Sequence, residues 1–177
     1  MKRKVDILKP FFENPNERFQ IRELSRILKI NPTTIGDHLK KFAKENLIEL
    51  EPGKPYPYFK AKESKEFLIQ KLFFNLEKLH QTSIIEQLEK DYDYPTIILF
   101  GSYADAIDDK NSDIDLLVLT EIKKDRNYTK FEKKLNRKVS IHLSTKEKFN
   151  SLKNKNPELL NNIINGITLA GKLELFK

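Results

Sequence analysis

Thr96-Ile97-Ile98-Leu99-Phe100-Gly101-Ser102 and then, after Tyr103 to Ser112, Asp113-Ile114-Asp115-Leu116-Leu117-Val118-Leu119 are the stretches that decide the fold. The first run is apolar and β-branched and ends in Gly-Ser. The second is apolar with two carboxylates at its start. Both read as strands bounded by turn residues. Side chains alternate along a strand, so Asp113 and Asp115 leave the same face. Two acids so close repel each other, and a divalent cation bound through oxygen, Mg²⁺ or Mn²⁺, relieves the repulsion. Gly101-Ser102 offers backbone N–H groups and a hydroxyl with no bulk in the way, which suits a phosphate.

The chain has 177 residues, 38% hydrophobic and 33% charged, enough for one medium or two small folded domains. It has no cysteine, which excludes a disulfide framework and a thiolate metal site. No signal-peptide pattern or apolar run of membrane length stands out, so the expectation is a soluble, cytoplasmic protein without a membrane partner. Charge is uneven. Residues 1–62 carry 14 Lys/Arg against 8 Asp/Glu, a net +6. Residues 63–94 carry 4 against 7, a net −3, and residues 95–177 carry 15 against 11, a net +4. The basic N-terminal part points to an anionic partner, DNA first.

From the N-terminus, Val5, Ile7, Leu8, Phe11 and Phe12 recur at helical spacing up to Asn14-Pro15-Asn16. Arg18 to Ile21 is short and extended, and Ile21, Leu24, Ile27 and Leu28 form a second helical stripe. Asn31 is a good N-cap and Pro32 a good first helical residue. The third helix buries Ile35, Leu39, Phe42 and Ala43 and presents Thr33, Thr34, Asp37, His38, Lys40, Lys41 and Lys44. Leu47 to Glu51 and Tyr56 to Lys60 form a hairpin around Pro52-Gly53-Lys54-Pro55.

This order, with Ile21-Arg22-Glu23-Leu24-Ser25-Arg26, Asn31-Pro32-Thr33-Thr34-Ile35 and His38-Leu39-Lys40-Lys41, resembles the winged helix-turn-helix domains of prokaryotic transcription regulators. The resemblance implies a third helix in the DNA major groove. Thr33, Thr34 and His38 would lie near base edges, and Lys40, Lys41, Lys44 and Lys54 on phosphates.

Residues 63–94 read as a helical connector whose stripe is Phe67, Leu68, Leu72, Leu76 and Leu79, thickened by Phe73 and Phe74. That much apolar surface suits packing on a domain or pairing with a second copy, so a homodimer is one expectation. Thr82-Ser83 should cap a short helix through Ile84, Ile85 and Leu88. Beyond Leu119 the expectations are a helix over Asp125–Leu135, a strand over Arg137–Leu143, and helices opened by Thr145 and by Asn156-Pro157. Short extended segments, Ile167–Gly171 and Leu173–Phe176, close the chain.

The Gly-Ser, its spacing to Asp-x-Asp and the two flanking strands resemble the signature of the nucleotidyltransferase superfamily that includes DNA polymerase beta and the minimal nucleotidyltransferases. The whole layout looks like a group of largely archaeal two-domain proteins. The expected fold is α+β: a winged helix at 1–62, a helical connector at 63–94, and a nucleotidyltransferase-like mixed sheet with helices at 95–177. The resemblance implies that Asp113 and Asp115 hold Mg²⁺ or Mn²⁺ and act in catalysis, and that Gly101, Ser102 and Ser112 hold an NTP. It departs at two places. The third carboxylate of the superfamily falls on Ser140, with His142 on the same strand face as a substitute base or ligand. The usual Ala-Arg-Gly after the Gly-Ser is here Ala104-Asp105-Ala106, with Lys110 nearby as a replacement positive charge. Three functions follow: transfer of a nucleoside monophosphate to an unknown hydroxyl; a degenerate domain that senses nucleotide or mediates assembly in a DNA-binding regulator; or one half of a toxin–antitoxin-like pair whose partner is encoded elsewhere.

Overall fold

A computed structural model describes residues 4–174. The Val5 side chain and the Leu175–Phe176 end of the last expected segment lie outside the described residues. The chain divides into two compact units, Met1–Phe74 and Asn75–Lys177. The boundary falls inside the segment read from the sequence as a connector.

The first unit contains α1 (Lys4–Glu13), α2 (Ile21–Leu28), α3 (Pro32–Lys44) and the strands β1 (Ile48–Glu51) and β2 (Tyr58–Ala61). Lys29, with φ 54°, ends α2 in the left-handed conformation, and the Ile30 amide closes the turn on the Ser25 carbonyl. Asn31 caps α3 by accepting from the Thr33 amide at 2.9 Å. Asn46, with φ 58°, ends α3 and turns the chain into β1. The hairpin pairs Ile48 with Ala61 through Glu51 with Tyr58. Phe19 adds a bridge to its outer edge, exchanging two 2.8 Å hydrogen bonds with Phe59. Phe11, Phe12, Phe19, Leu24, Ile35, Leu39 and Phe42 are buried in one core.

Two expected stripes come out rotated. Ile27 is exposed. In α4 (Lys65–Gln81) the buried positions are Phe67, Lys71, Phe74, Asn75 and Leu79, while Leu68 and Phe73 face outward. Phe67 and Phe74 are drawn in because both ring-stack near Phe12, at 5.3 and 5.1 Å. That choice sets the i, i+4, i+7 face and leaves Phe73 on another.

The second unit begins with the end of α4 and continues with α5 (Ile84–Asp91), β3 (Thr96–Phe100), β4 (Ile114–Leu119), α6 (Thr129–Leu135), β5 (Val139–Ser144), α7 (Lys146–Lys155), α8 (Pro157–Ile164) and β6 (Ile167–Ala170). The sheet order is β5-β4-β3-β6, with β4 and β5 parallel and the other pairs antiparallel. Ile97, Leu99, Ile114, Leu116, Val118 and Val139 pack with Leu88, Tyr92, Phe131 and Leu135 on one face. Ile98, Phe100, Leu117 and Leu119 pack with Phe149 and Ile163, from α7 and α8, on the other. A strand covered on both faces needs apolar residues at every position, which is why β3 does not alternate.

Thr82, rather than Ser83, serves the start of α5: its Oγ1 accepts from the Ile84 amide, and Ser83 makes no side-chain cap bond. The helix expected from Asp125 starts only at Thr129. The Asn127 side chain accepts from the Thr129 amide, the Tyr92 hydroxyl donates to the Lys124 carbonyl, and the Tyr128 hydroxyl donates to Asp91. These side chains hold the preceding residues as a loop. Thr145 and Asn156 cap α7 and α8 as expected. Among the described residues no helix is long and apolar enough to cross a membrane.

Gly166 joins α8 to β6 where backbone comes closest. A Cβ there would overlap the Leu99 carbonyl oxygen and lie 3.0 Å from that of Ile163. Neither is a side chain that can swing away, so Gly166→Ala should destabilise the protein by about 1–3 kcal/mol. A urea denaturation midpoint equal to that of the wild type would show that α8 yields at this joint.

Candidate active site

β4 carries the acids and β5 the residues that face them. Parallel pairing sets Ile114 beside Val139, Asp115 beside Ser140 and Leu117 beside His142. Along β4, Asp115, Leu117 and Leu119 share a face by alternation, and Asp113 precedes them in the same row. The row is apolar where α7 and α8 cover it and acidic at its uncovered end. Lys138, Ser140 and His142 form the matching row on β5.

The contacts are specific. The Ser140 hydroxyl donates to Asp113 Oδ2 at 3.1 Å, and Lys138 Nζ lies 2.9 Å from the same oxygen. His142 Nε2 lies 3.2 Å from Asp115 Oδ1, and its ring sits 5.4 Å from that of Phe100. The Lys138 ammonium, aided by the Ser140 hydroxyl, holds the Asp113 carboxyl below its ordinary 3.8. Asp113 in turn raises Lys138. Both acids are half-exposed, so a ligand can reach them.

Gly101 faces Asp115 across the strand end, and Phe100 is the register partner of Asp115. Its φ of 73° favours glycine, and a Cβ would lie 3.2 Å from Asp115 Oδ2. The chain then turns tightly, with the Ala104 and Asp105 amides on the Gly101 carbonyl and the Ile107 amide on that of Ser102. Among the described residues neither the amide nor the hydroxyl of Ser102 has a hydrogen-bond partner. Ala106 takes φ 58°. That left-handed conformation costs an alanine about 1–2 kcal/mol. Asp105 and Lys110 are exposed on the same connection.

Ser112 does not join the acids through its hydroxyl. It accepts from the Asp109 amide at 3.0 Å and donates to Asp109 Oδ1 at 3.3 Å. The Asn111 amide, with Ser112, lowers Asp109 as well, so this end of the connection is folded on itself.

Beneath the connection lies a buried ion pair. Asp108 is fully buried, and Arg137 Nη2 sits 3.0 Å from its Oδ2. Asn75 Nδ2 donates to Asp108 Oδ1 at 2.8 Å and to the Tyr103 carbonyl at 3.1 Å. The guanidinium also covers the Tyr103 ring at 5.3 Å and donates to the Ser112 carbonyl. Sequence reasoning missed this group, since no local pattern links an acid in a connection to an arginine at a later strand. It also left Lys138 unassigned, although a period of two from Ser140 and His142 puts that side chain on the same face.

In the first unit, Thr33, Thr34, Lys40, Lys41, Lys44 and Lys54 are exposed. His38 is half-buried, with its ring 5.8 Å from that of Phe42, and Lys41 pairs loosely with Glu45 at 3.9 Å.

A mixed sheet with an acid pair on one strand and a glycine turn at the end of its neighbour is consistent with an α+β nucleotidyltransferase fold. The family model described as "Polymerase beta, Nucleotidyltransferase" matches residues 82–174, more than half of the chain, and the chain belongs to this family. No curated protein and no solved structure gives a significant match.

Two outcomes follow from the site's electrostatics. Arg137→Met should cost about 3–5 kcal/mol in denaturant unfolding, because it removes the partner of the buried Asp108 carboxylate; a loss under about 1 kcal/mol would show that the fold does not depend on this pair. Asp113 should titrate below 3.8, and Lys138→Ala should move it back up, read by carboxyl NMR. Because the folded value lies below the unfolded one, the pair adds stability above about pH 4 and loses it as pH falls through the folded value. The pair is exposed, so the gain is small.

Proposed function

We propose that the chain binds a nucleoside triphosphate with one divalent cation and transfers its nucleoside monophosphate to an acceptor hydroxyl, and that its N-terminal unit is a winged helix that binds DNA. The observation that carries the nucleotide reading is the meeting of Gly101 with Asp115: a backbone without a Cβ stands against a carboxylate oxygen, beside the unpartnered Ser102 amide and hydroxyl. The residues fit one oxygen-bound cation. Asp113 and Asp115 would hold it, and it would neutralise the triphosphate they could not otherwise approach. Gly101 and Ser102 would hold the phosphates.

In the transfer, the acceptor oxygen bonds to the α-phosphorus and the bond to the β-phosphate bridge breaks, releasing pyrophosphate. The hydroxyl proton passes to His142, the exposed imidazole at the rim of the acid pair. Gly101 and Ser102 keep the departing phosphates in line.

In the first unit the support is the exposed row of Thr33, Thr34, Lys40, Lys41 and Lys44 on α3, with His38 at its edge and Lys54 on the hairpin. Hydroxyls reach base edges and ammonium groups reach phosphates. A second reading, a regulator that binds nucleotide without turnover, is favoured by one feature: Ser140 at the position of the third carboxylate.

Incubation with each labelled NTP and Mg²⁺ or Mn²⁺, alone and with cell lysate, tests the reading. Label on an acceptor, absent with Asp113→Asn/Asp115→Asn, is the expected result. Nucleotide binding without label supports the regulator, and undiminished binding by the double variant overturns the site. For the first unit, Lys40, Lys41 and Lys44 changed to alanine should weaken DNA binding and flatten the plot of log affinity against log salt by about 0.9 for each phosphate that is no longer neutralised. An unchanged slope would remove α3 from the DNA.

A further inference from the structure

We infer that Lys138 is the second cation of this site: its ammonium takes the position on Asp113 that a second divalent ion takes in two-metal nucleotidyl transfer. The inference rests on the nucleotide site proposed above and concerns how many metal ions that site accepts.

The donor set carries the argument. A two-metal site needs bridging carboxylates to hold ions about 3.5–4 Å apart. Here the β5 register partner of Asp115 is Ser140, a neutral hydroxyl. Asp113 Oδ2 already receives both Ser140 Oγ and Lys138 Nζ. Among the described residues no group of three or more His, Cys, Asp or Glu side chains is placed to hold a metal ion. Asp113 and Asp115 would serve one cation, and a second lacks the carboxylate it needs.

Charge points the same way. Three carboxylates with two divalent ions leave one positive charge to meet the triphosphate. Two carboxylates with one divalent ion and one ammonium leave the same. Loss of the acid at Ser140 and gain of the ammonium at Lys138 therefore compensate, on one face of one strand, with a single residue between them. Lys138 touches Asp113 directly and lies in the field of Asp115. A side chain 69% exposed contributes little to folding through such a pair, so stability does not explain its place. The backbone at Lys138 is fixed, its carbonyl accepting from the Ile114 amide at 3.0 Å, which keeps the ammonium within reach of Asp113.

Manganese titration of the full chain, followed by electron paramagnetic resonance with a non-hydrolysable analogue of each NTP, counts the ions. Wild type and Lys138→Arg should bind one Mn²⁺ per chain, and Lys138→Ala/Ser140→Asp should bind two. Without nucleotide, Lys138→Ala should bind Mn²⁺ roughly tenfold more tightly than wild type, because an ammonium no longer repels the ion. Two ions on the wild type, or equal Mn²⁺ affinity for wild type and Lys138→Ala, would overturn the inference while leaving the nucleotide site standing. Neither nucleotide nor Mn²⁺ binding by the wild type would overturn both.

Discussion

The buried pair of Asp108 and Arg137 is the constraint on which the candidate site depends. It ties the connection between β3 and β4 to the start of β5; Asn75 donates to Asp108 Oδ1 and to the Tyr103 carbonyl, and the Tyr103 hydroxyl donates to the Asn75 carbonyl. Asp113 ends that connection, and Lys138 and Ser140 begin the strand beside it. The relative position of the acids and their partners is thus set from below by a charge that cannot reach water. Such a pair adds little net stability against an apolar replacement of the same volume, yet breaking it is costly. Its value here is positional.

Parallel pairing does the rest. β4 and β5 start from adjacent residues of the pinned region, so register brings Asp115 level with Ser140 without any further device. A slip of one residue on β5 would turn Lys138, Ser140 and His142 into the apolar face and bring Val139 and Ile141 against the acids. The apolar residues packed beneath α5 and α6 forbid that slip. Core packing and site geometry are therefore one specification, read from two sides of the same strand.

Much of this was legible in the residues. The two strands, the Gly-Ser turn, the shared face of Asp113 and Asp115, and the alternation of Val139, Ile141 and Leu143 against Ser140 and His142 follow from periods of two. Asn31, Thr145 and Asn156 announce their helices by cap chemistry. What was not legible depended on distant contacts. The face of α4 was chosen by Phe12, the loop before α6 by hydrogen bonds from Tyr92 and Tyr128, and the engagement of Ser112 by Asp109. Lys138 was within reach of the pattern, but a lysine at a strand start reads as surface until its partner is known.

The order of strands in space has a consequence for biosynthesis. β3 is central, flanked by β4 and by β6, and β6 follows β3 by more than sixty residues in the chain. The first unit has its helices and hairpin complete long before that point. While the nascent chain lacks β6, the edge of β3 that it pairs with, Ile97 to Leu99, presents unpaired backbone. That edge is a template for wrong partners until Gly166 turns β6 onto it. The acid pair is thus assembled on a sheet that closes only after β6 has been made.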